Sequence, residues 1–320
     1  MKYSKLGKTD IEISAVCVGC MSFGKRSEDF HLWTLDEPES EQMIRHALDL
    51  GINFFDTANT YSHGTSEEFL GRAIRNNCRR EDVVLASKVY FNEGHLSGEA
   101  IHREIEGTLK RLGTDYLDLY IIHRFDYGTP IAETMEALDD LVKQGKVRAL
   151  GASAMYGYQF MNMQNYALNN GLTPFSSMQN HYNLIYREDE RELIPICRQF
   201  GVTLTPYSPL AGGRLARPEW DSDSERSKTD WFSRGKYDGF RDQDMPILAR
   251  VKELADKYGV TMSVIALAWL MKKDVATLMV GPTKARYLDE AAAAVDFVLS
   301  DEDCLYLEEL YVPHKVVGAL

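Results

Sequence analysis

The sequence has few of the features that mark secreted, membrane-spanning or fibrous proteins. Its 320 residues include 5 cysteines, and so small and odd a number is a poor basis for a disulfide framework. Glycine and proline, with 23 and 10 residues, are too few for a fibrous or largely disordered chain. The first ten residues contain no apolar core, and no stretch approaches the roughly 18 apolar residues of a membrane span. These absences predict a soluble, cytoplasmic protein with no membrane partner.

Basic side chains are also in the minority. There are 36 Lys and Arg residues against 48 Asp and Glu residues, so the formal net charge is −12. Such a field repels polyphosphates, which disfavours a nucleic-acid partner but leaves room for a small local anion pocket. Cys17 and Cys20 form a CxxC motif with an apolar spacer and no second pair, so we interpret them as buried free thiols and expect no metal site.

Short apolar runs alternate with longer amphipathic stretches along the whole chain. Each run is mostly apolar rather than alternating, as in parallel strands that are covered on both faces. The eight runs are Ala15–Val18, Asn53–Asp56, Val83–Ser87, Tyr116–Ile122, Arg148–Ala152, Phe175–Gln179, Thr203–Pro206 and Ala276–Val280. Six of the seven intervals between their starts span 27 to 38 residues, the length of a βα unit. The spacing therefore predicts an α/β fold of the (β/α)8 TIM-barrel type.

The amphipathic stretches and the chain ends complete the predicted fold. Helical spacing of apolar residues predicts helices over Ser40–Leu50, Thr65–Asn77, Gly98–Leu112, Ile131–Gln144, Glu188–Phe200, Asp244–Tyr258 and Arg286–Ala293. The last interval, of 73 residues, indicates a long loop after strand 7, at Ser208–Gln243, which in a barrel overhangs the active-site face. Residues 2–13 predict an N-terminal β-hairpin that could plug the barrel bottom, and Ser300–Tyr311 predicts an extra C-terminal helix.

We expect residues 1–320 to form a single domain, because the chain contains no linker and no break in composition. A doubly wound open sheet is the alternative fold. It predicts a GxGxxG motif after the first strand, and the sequence of Val18–Gly24 does not match that motif.

Ionisable side chains lie at the ends of three neighbouring predicted strands. Asp56 ends the second strand, Lys88 the third and His123 the fourth, while Tyr61 follows Asp56 by five residues. Each alone has an ordinary structural explanation, such as a helix cap or a solvated charge. Because strand ends of a barrel meet at one face, we expect the four to converge there.

The combination of these four residue types suits carbonyl reduction. A tyrosine hydroxyl titrates near pH 10, and an adjacent lysine ammonium favours the phenolate and so lowers the pKa of Tyr61. Asp56 would hold Lys88 in place and offset the cost of its burial. His123 could orient the substrate oxygen, and Tyr61 would be the general acid.

Several ordered segments of the chain resemble the signature blocks of the aldo-keto reductases. They are LGKTDIEISAVCVGCMSFG near the start, GINFFDTANTYSHG at 51–64, ASKVY around Lys88, LDLYIIHRFD around His123, GKVRALGASAM at 145–155, MQNHYNLIYR at 178–187, TPYSPLAGGRL at 205–215 and VGPTKARYLDEA at 280–291. The closing PHKVVG resembles the tails of a long bacterial branch. This family consists of (β/α)8 barrels that reduce carbonyl groups with NADPH. The resemblance implies a catalytic tetrad of Asp56, Tyr61, Lys88 and His123.

The resemblance also implies contacts to an NADP(H) cofactor. Ser153 and Gln179 would hold the carboxamide, Tyr207 would stack on the nicotinamide ring, and Glu290 would meet the adenine. The full implied set is Gly19, Met21, Asp56, Ser153, Gln179, Tyr207, Ser208, Leu210, Gly212, Arg214, Gly281, Thr283, Lys284 and Glu290. Arg214, Lys284 and Arg286 would form a small cationic pocket for the phosphates of the dinucleotide.

Three positions depart from the family pattern, and the substrate is less well defined. Ala154, Tyr287 and Ala291 replace residues common in the family, which leaves use of NAD(H) open alongside NADP(H). The expected partner is a small-molecule carbonyl compound, in a pocket formed by Trp33, Tyr61, His123 and Arg124. The sequence does not determine the oligomeric state.

Two other functions remain open at the sequence level. One is a redox-sensing cofactor-binding subunit with little turnover, because such proteins can keep the tetrad. The other is a barrel aldolase in which Lys88 forms a Schiff base with a carbonyl substrate.

Overall fold

The computed structural model describes residues 1–317, and its centre is a sheet of eight parallel strands. Each strand coincides with one of the predicted apolar runs, so the strand predictions are confirmed. These strands are β3 (Val16–Gly19), β4 (Phe54–Asp56), β5 (Val84–Val89), β6 (Leu117–Ile122), β7 (Val147–Ser153), β8 (Phe175–Gln179), β9 (Thr203–Leu204) and β10 (Leu278–Val280). Two further strands, β1 (Tyr3–Lys5) and β2 (Glu12–Ser14), form the expected antiparallel hairpin.

The order of the strands identifies a barrel. Neighbours run β10-β3-β4-β5-β6-β7-β8-β9, so each strand pairs with the next one along the chain and β10 returns to β3. The remaining gap between β9 and β10 is bridged by the Ala276 N–H, which donates to the Leu204 carbonyl at 3.0 Å. A doubly wound sheet would instead reverse its strand order near the centre. The (β/α)8 TIM-barrel prediction is therefore confirmed.

Helices surround the strands. They are α1 (Glu37–Asp49), α2 (Thr65–Asn77), α3 (Gly98–Leu112), α4 (Ile131–Lys143), α5 (Gly157–Asn169), α6 (Leu193–Phe200), α7 (Glu225–Thr229), α8 (Trp231–Tyr237), α9 (Arg241–Tyr258), α10 (Met262–Met271), α11 (Ala285–Asp296) and α12 (Asp301–Glu308). Local sequence sets several ends. Ser97 caps α3 by accepting from the Ala100 N–H, and Gly113 ends that helix in the left-handed conformation. Ser300 caps the expected C-terminal helix in the same way.

The pattern analysis missed four helices. Helix α10 is buried along nearly its whole length, so it has no polar face and gives no amphipathic period. Helix α5 contains three Asn and two Gln among its thirteen residues, which obscures its apolar face. Helices α7 and α8 lie within the segment predicted as a long loop after strand 7. That segment is an insertion as expected, but part of it is helical.

The N-terminal hairpin closes one end of the barrel, as predicted. Leu6, Ile11 and Ile13 are buried and pack on apolar side chains inside the barrel. The Gly7 N–H donates to Thr203 Oγ1 at 2.6 Å, at the first residue of β9. The hairpin therefore lies at the amino-terminal ends of the strands, which leaves the opposite face for the candidate site.

Four of the five free thiols and the most apolar helix lie inside the protein. All five cysteines are free, and Cys17 and Cys20 are fully buried, as expected. Within residues 1–317 no single helix is both long and apolar enough to cross a membrane. The stretch Trp231–Tyr258 and α10 pass that test only as a pair, bent by 101°.

Candidate active site

The four predicted catalytic residues meet at the carboxyl ends of the strands. Asp56 is the last residue of β4, Lys88 lies one residue before the end of β5, and His123 directly follows β6. Tyr61 begins a short 3-10 turn, Tyr61–Gly64, between β4 and α2. Since these strands are neighbours in the barrel, their ends bring together residues that are up to 67 positions apart in the sequence.

The Lys88 ammonium is the centre of the cluster. Its side chain is fully buried, and it donates to an Asp56 carboxylate oxygen, to the Thr57 carbonyl at 2.8 Å and to the Tyr61 hydroxyl at 3.0 Å. The other Asp56 oxygen accepts from Gln179 Nε2 at 2.9 Å. All three ammonium protons therefore have acceptors, as a buried charge requires.

Lys88 keeps its charge, and Tyr61 keeps its proton. Burial lowers the pKa of Lys88, but Asp56 and Tyr61 raise it by more, so the ammonium is retained. Burial raises the pKa of Tyr61, and Lys88 opposes this rise without overcoming it. Lys88 lowers the pKa of Tyr61, as the sequence predicted, but burial raises this pKa by more. The predicted net lowering of the Tyr61 pKa is therefore wrong. At neutral pH, Tyr61 is therefore a protonated phenol that faces a cation.

His123 stands edge-on to Tyr61 as a neutral imidazole. The ring centroids of Tyr61 and His123 are 5.8 Å apart. The Phe91 ring also lies edge-on to His123, with a centroid distance of 5.1 Å. Burial first, and then the charge of Lys88, hold the pKa of His123 well below its usual range. Its Nδ1 is buried and has no hydrogen-bond partner among the described residues. An imidazole in this state can hydrogen-bond to a substrate oxygen.

Aromatic side chains surround the Tyr61 hydroxyl. The ring centroids of Phe30 and Tyr61 are 6.4 Å apart. The predicted pocket residue Trp33 is buried and contacts His31 and Arg226. Arg124 lies over the Phe91 ring at 5.5 Å, and Phe91 also contacts His123; the role of Arg124 in a substrate pocket stays a prediction. Phe91 was missed by sequence reasoning; its position three residues after Lys88 could have indicated it.

The residues expected at the nicotinamide also come together. Ser153 Oγ donates to the Gln179 carbonyl at 2.8 Å, and the Gln179 side chain reaches Asp56. Tyr207 follows β9, and its ring stacks on His181 with centroids 5.1 Å apart and planes at 8°. Residues from the ends of β7, β8 and β9 thus continue the cluster around the barrel mouth.

The expected phosphate residues lie at the start of α11. Lys284 is the residue before that helix and makes no side-chain cap, and the first turn of α11 contains no acidic residue. Lys284 and Arg286 are exposed, and Ser22 Oγ donates to Pro282 O at 3.2 Å, which brings the turn after β3 next to this site. Uncapped N–H groups and two cations form an anion-binding arrangement.

The remaining expected cofactor residues lie near the start of α11, after β3 and after Tyr207. Gly281 and Thr283 precede α11, and Glu290 lies within it. Gly19 is the last residue of β3, and Met21 lies in the 3-10 turn Cys20–Ser22 that follows. Ser208, Leu210 and Gly212 come after Tyr207.

Arg214 differs from its expected environment. Only 4% of it is exposed, and it donates to Asp238 at 2.7 Å and to Ser233 at 2.8 Å. It also lies 5.0 Å from the rings of Trp220 and Tyr237. Arg214 is thus the internal support of the insertion, and a contact with the pyrophosphate stays a prediction.

Lys236, on α8, is a site residue that the sequence did not indicate. Its Nζ is 4.5 Å from the centroid of the Tyr207 ring and 3.4 Å from the Tyr207 hydroxyl. No motif marks it, because it lies in the insertion and is brought to the mouth by the folding of α8.

Comparison with known proteins agrees with this geometry. The family model described as Aldo/keto reductase family matches residues 15–312. The versiconal hemiacetal acetate reductase of Aspergillus parasiticus is 40% identical, with 99% of this chain and 98% of that protein aligned. An aldo-keto reductase of Fusarium vanettenii is 42% identical, with 99% and 92% aligned. A putative aryl-alcohol dehydrogenase of Schizosaccharomyces pombe is 41% identical, with 99% and 98% aligned.

These relatives are fungal, whereas the tail PHKVVG resembles a bacterial branch. The matched region includes the eight strands of the barrel and the four clustered side chains described above. The chain therefore belongs to the aldo/keto reductase family of oxidoreductases.

Proposed function

We propose that this protein reduces an aldehyde or ketone to an alcohol with NADP(H), and that Tyr61 donates the proton. The observation that carries the proposal is the Tyr61 hydroxyl, held 3.0 Å from a buried ammonium that is itself paired with Asp56. A phenol in this position loses its proton to an oxygen that gains negative charge, and the adjacent cation stabilises the phenolate that remains.

Each side chain of the cluster has a distinct task in this scheme. The nicotinamide, when bound, supplies the hydride. Lys88 keeps its charge throughout, because Asp56 fixes it and its three protons have acceptors. Neutral His123, beside Tyr61, orients the substrate oxygen by a hydrogen bond. Gln179 links this group to the nicotinamide site through its bond to Asp56.

The residues present suit a dinucleotide phosphate. The uncapped start of α11 offers backbone N–H groups, and the exposed cations Lys284 and Arg286 suit a 2′-phosphate. Tyr287 and Ala291 supply no charge there, so we keep NAD(H) as a second cofactor. Comparing NADPH with NADH oxidation rates measures this preference.

We propose an aromatic aldehyde as the substrate class to test first. Phe30 and Phe91 give the mouth near Tyr61 and His123 an aromatic lining, which favours flat apolar groups. One relative carries the name aryl-alcohol dehydrogenase, which points to the same chemistry.

The decisive test is Tyr61→Phe, assayed with a panel of aromatic and aliphatic aldehydes. We expect kcat/KM to fall by about 10²–10⁴-fold, the usual contribution of a general acid, with NADPH binding unchanged. Tyr158→Phe is the matched control, because Tyr158 is exposed on α5 and outside the cluster. Normal turnover by Tyr61→Phe would refute the proton-donor role, and a wild-type protein that binds no NADPH would refute the cofactor assignment.

The same assay distinguishes the two other functions. A redox-sensing subunit would bind NADPH without multiple turnover. An aldolase would need a neutral amine at Lys88, which the Asp56 pairing opposes. Borohydride trapping of a substrate adduct on Lys88 would be required to revive that alternative.

A further inference from the structure

We propose that Lys236 discriminates between the two redox states of the cofactor, because its ammonium weakens the binding of the positively charged, oxidised nicotinamide. The enzyme would then be biased toward hydride donation and toward release of the oxidised product. This inference rests on the proposed function, in which the nicotinamide stacks on Tyr207.

The position of Lys236 is fixed by its neighbour in the sequence. Tyr237 is 1% exposed, and its hydroxyl bonds to His181 Nε2 at 2.6 Å and accepts from Asn183 Nδ2 at 3.1 Å. These contacts hold α8 against the end of β8. Lys236 Nζ is thereby placed over the Tyr207 ring, 4.5 Å from its centroid, while His181 stacks on the same ring. The ammonium is therefore held beside the ring that is expected to stack on the nicotinamide.

The charges around Lys236 leave its own charge largely uncompensated. Asp230 is the acidic group that acts on it, but that carboxylate accepts from the Ser233 N–H at 2.9 Å and pairs with Arg226 at 3.2 Å. Arg124, from the end of β6, opposes the ammonium, and the neutral rings of His123, His181 and Tyr207 complete its surroundings. Burial and Arg124 together lower the pKa of Lys236 to about 8. The side chain is thus mainly charged at pH 7 and mainly neutral at pH 9.5.

The two forms of the cofactor differ in charge at the nicotinamide and nowhere else. The ring is neutral when reduced and carries one positive charge when oxidised, while the phosphates are the same. Stacked aromatic rings have centroids about 4.5–7 Å apart, so a nicotinamide on the face of Tyr207 that His181 leaves open would lie at most about 11.5 Å from Nζ, which is 4.5 Å from the Tyr207 centroid. Two unit charges at that separation, with an effective dielectric constant of about 20, change an equilibrium by about tenfold.

The test is the ratio of Kd for NADP⁺ to Kd for NADPH, measured by fluorescence titration without substrate. We expect this ratio to fall about tenfold in Lys236→Met at pH 7. Lys228→Met is the matched control, because Lys228 lies in the same insertion but is exposed and pairs with Asp223 at 3.4 Å. The wild-type ratio should also fall between pH 7 and pH 9.5 as the ammonium loses its proton. Lys236→Arg, which stays charged, should keep its ratio over that range.

Three results would overturn the inference while leaving the proposed function intact. The first is a ratio that Lys236→Met leaves unchanged. The second is tighter binding of both forms by the same factor, which would mean that the side chain only occupies space. The third is weaker binding of both forms by the same factor, which would mean a phosphate contact. If the wild-type protein bound neither nucleotide, the proposed function would fail and this inference with it.

Discussion

Replacing Asp56 by Asn tests whether the buried Lys88 ammonium depends on the opposite charge. Asn has the size of Asp and its oxygen can still accept from Lys88, so the substitution removes the charge together with the one hydrogen bond that Gln179 Nε2 donates. Both partners are at most 1% exposed, which places this pair among buried ion pairs. Removing one partner of such a pair costs about 3–5 kcal/mol. We therefore expect Asp56→Asn to lower the free energy of unfolding by that amount at pH 7, measured by urea denaturation followed by circular dichroism.

A double variant separates the charge effect from a packing effect. Lys88→Met alone leaves the Asp56 carboxylate buried with Gln179 as its remaining side-chain donor, so it should also be destabilised. In Asp56→Asn combined with Lys88→Met, neither charge is left without a partner. The double variant should then lose about 2–3 kcal/mol less unfolding free energy than the sum of the two single losses, which is the upper range for residues in contact.

The dependence on pH gives the sharpest result. In the wild-type protein the pKa of Lys88 is raised above its unfolded value of about 10.4, so the stability from the pair is fully present at pH 7 and still present at pH 10. Without Asp56, burial acts on Lys88 with less opposition and lowers its folded pKa. The deficit of Asp56→Asn should therefore shrink as pH rises from 7 to 10, because a neutral amine is cheaper to bury. An equal deficit at both pH values, or one below about 1 kcal/mol, would refute the charge argument.

Two further substitutions test the close packing of Gly71 and the ionisation of Asp189. A Cβ on Gly71 of α2 would lie 2.1 Å from the Leu112 carbonyl oxygen, so Gly71→Ala should lower the melting temperature by several degrees, whereas Gly235→Ala, in open space on α8, should leave it unchanged or slightly raised. Burial raises the pKa of Asp189 to about 7, so its folded state resists ionisation and the wild-type protein loses stability as pH rises from about 4 to 7. Asp189→Asn should thus be more stable than wild type at pH 8 but not at pH 4; equal melting curves at pH 8 would contradict the assignment.

Local sequence predicted the barrel well where burial produces a clear pattern. Strands covered on both faces are continuous apolar runs, and amphipathic helices such as α3 repeat at helical spacing, so both were located to within a few residues. Helix α10 was missed for the opposite reason. It is surrounded by other elements, and a helix without a polar face leaves no period in the sequence.

The tetrad could be proposed from the sequence because topology makes its meeting predictable. Once strands are parallel and sequential, Asp56, Lys88 and His123 must lie at adjacent strand ends. The protonation of Tyr61 was not predictable in the same way. Its net pKa depends on how strongly burial opposes the adjacent cation, and burial is a property of the whole packed mouth.

The sequence by itself thus determined the barrel, the four converging side chains and the family resemblance, because each follows from local patterning and strand order. The tertiary structure alone decided that Arg214 supports the insertion through Asp238 and that Lys236 reaches the ring of Tyr207. These contacts join residues of the insertion to each other and to Tyr207, and no repeating pattern of apolar residues or fixed motif spacing in the sequence indicates such pairs. Their distances depend on how the insertion folds over the barrel, and the strengths of their charges depend on how much water that folding excludes.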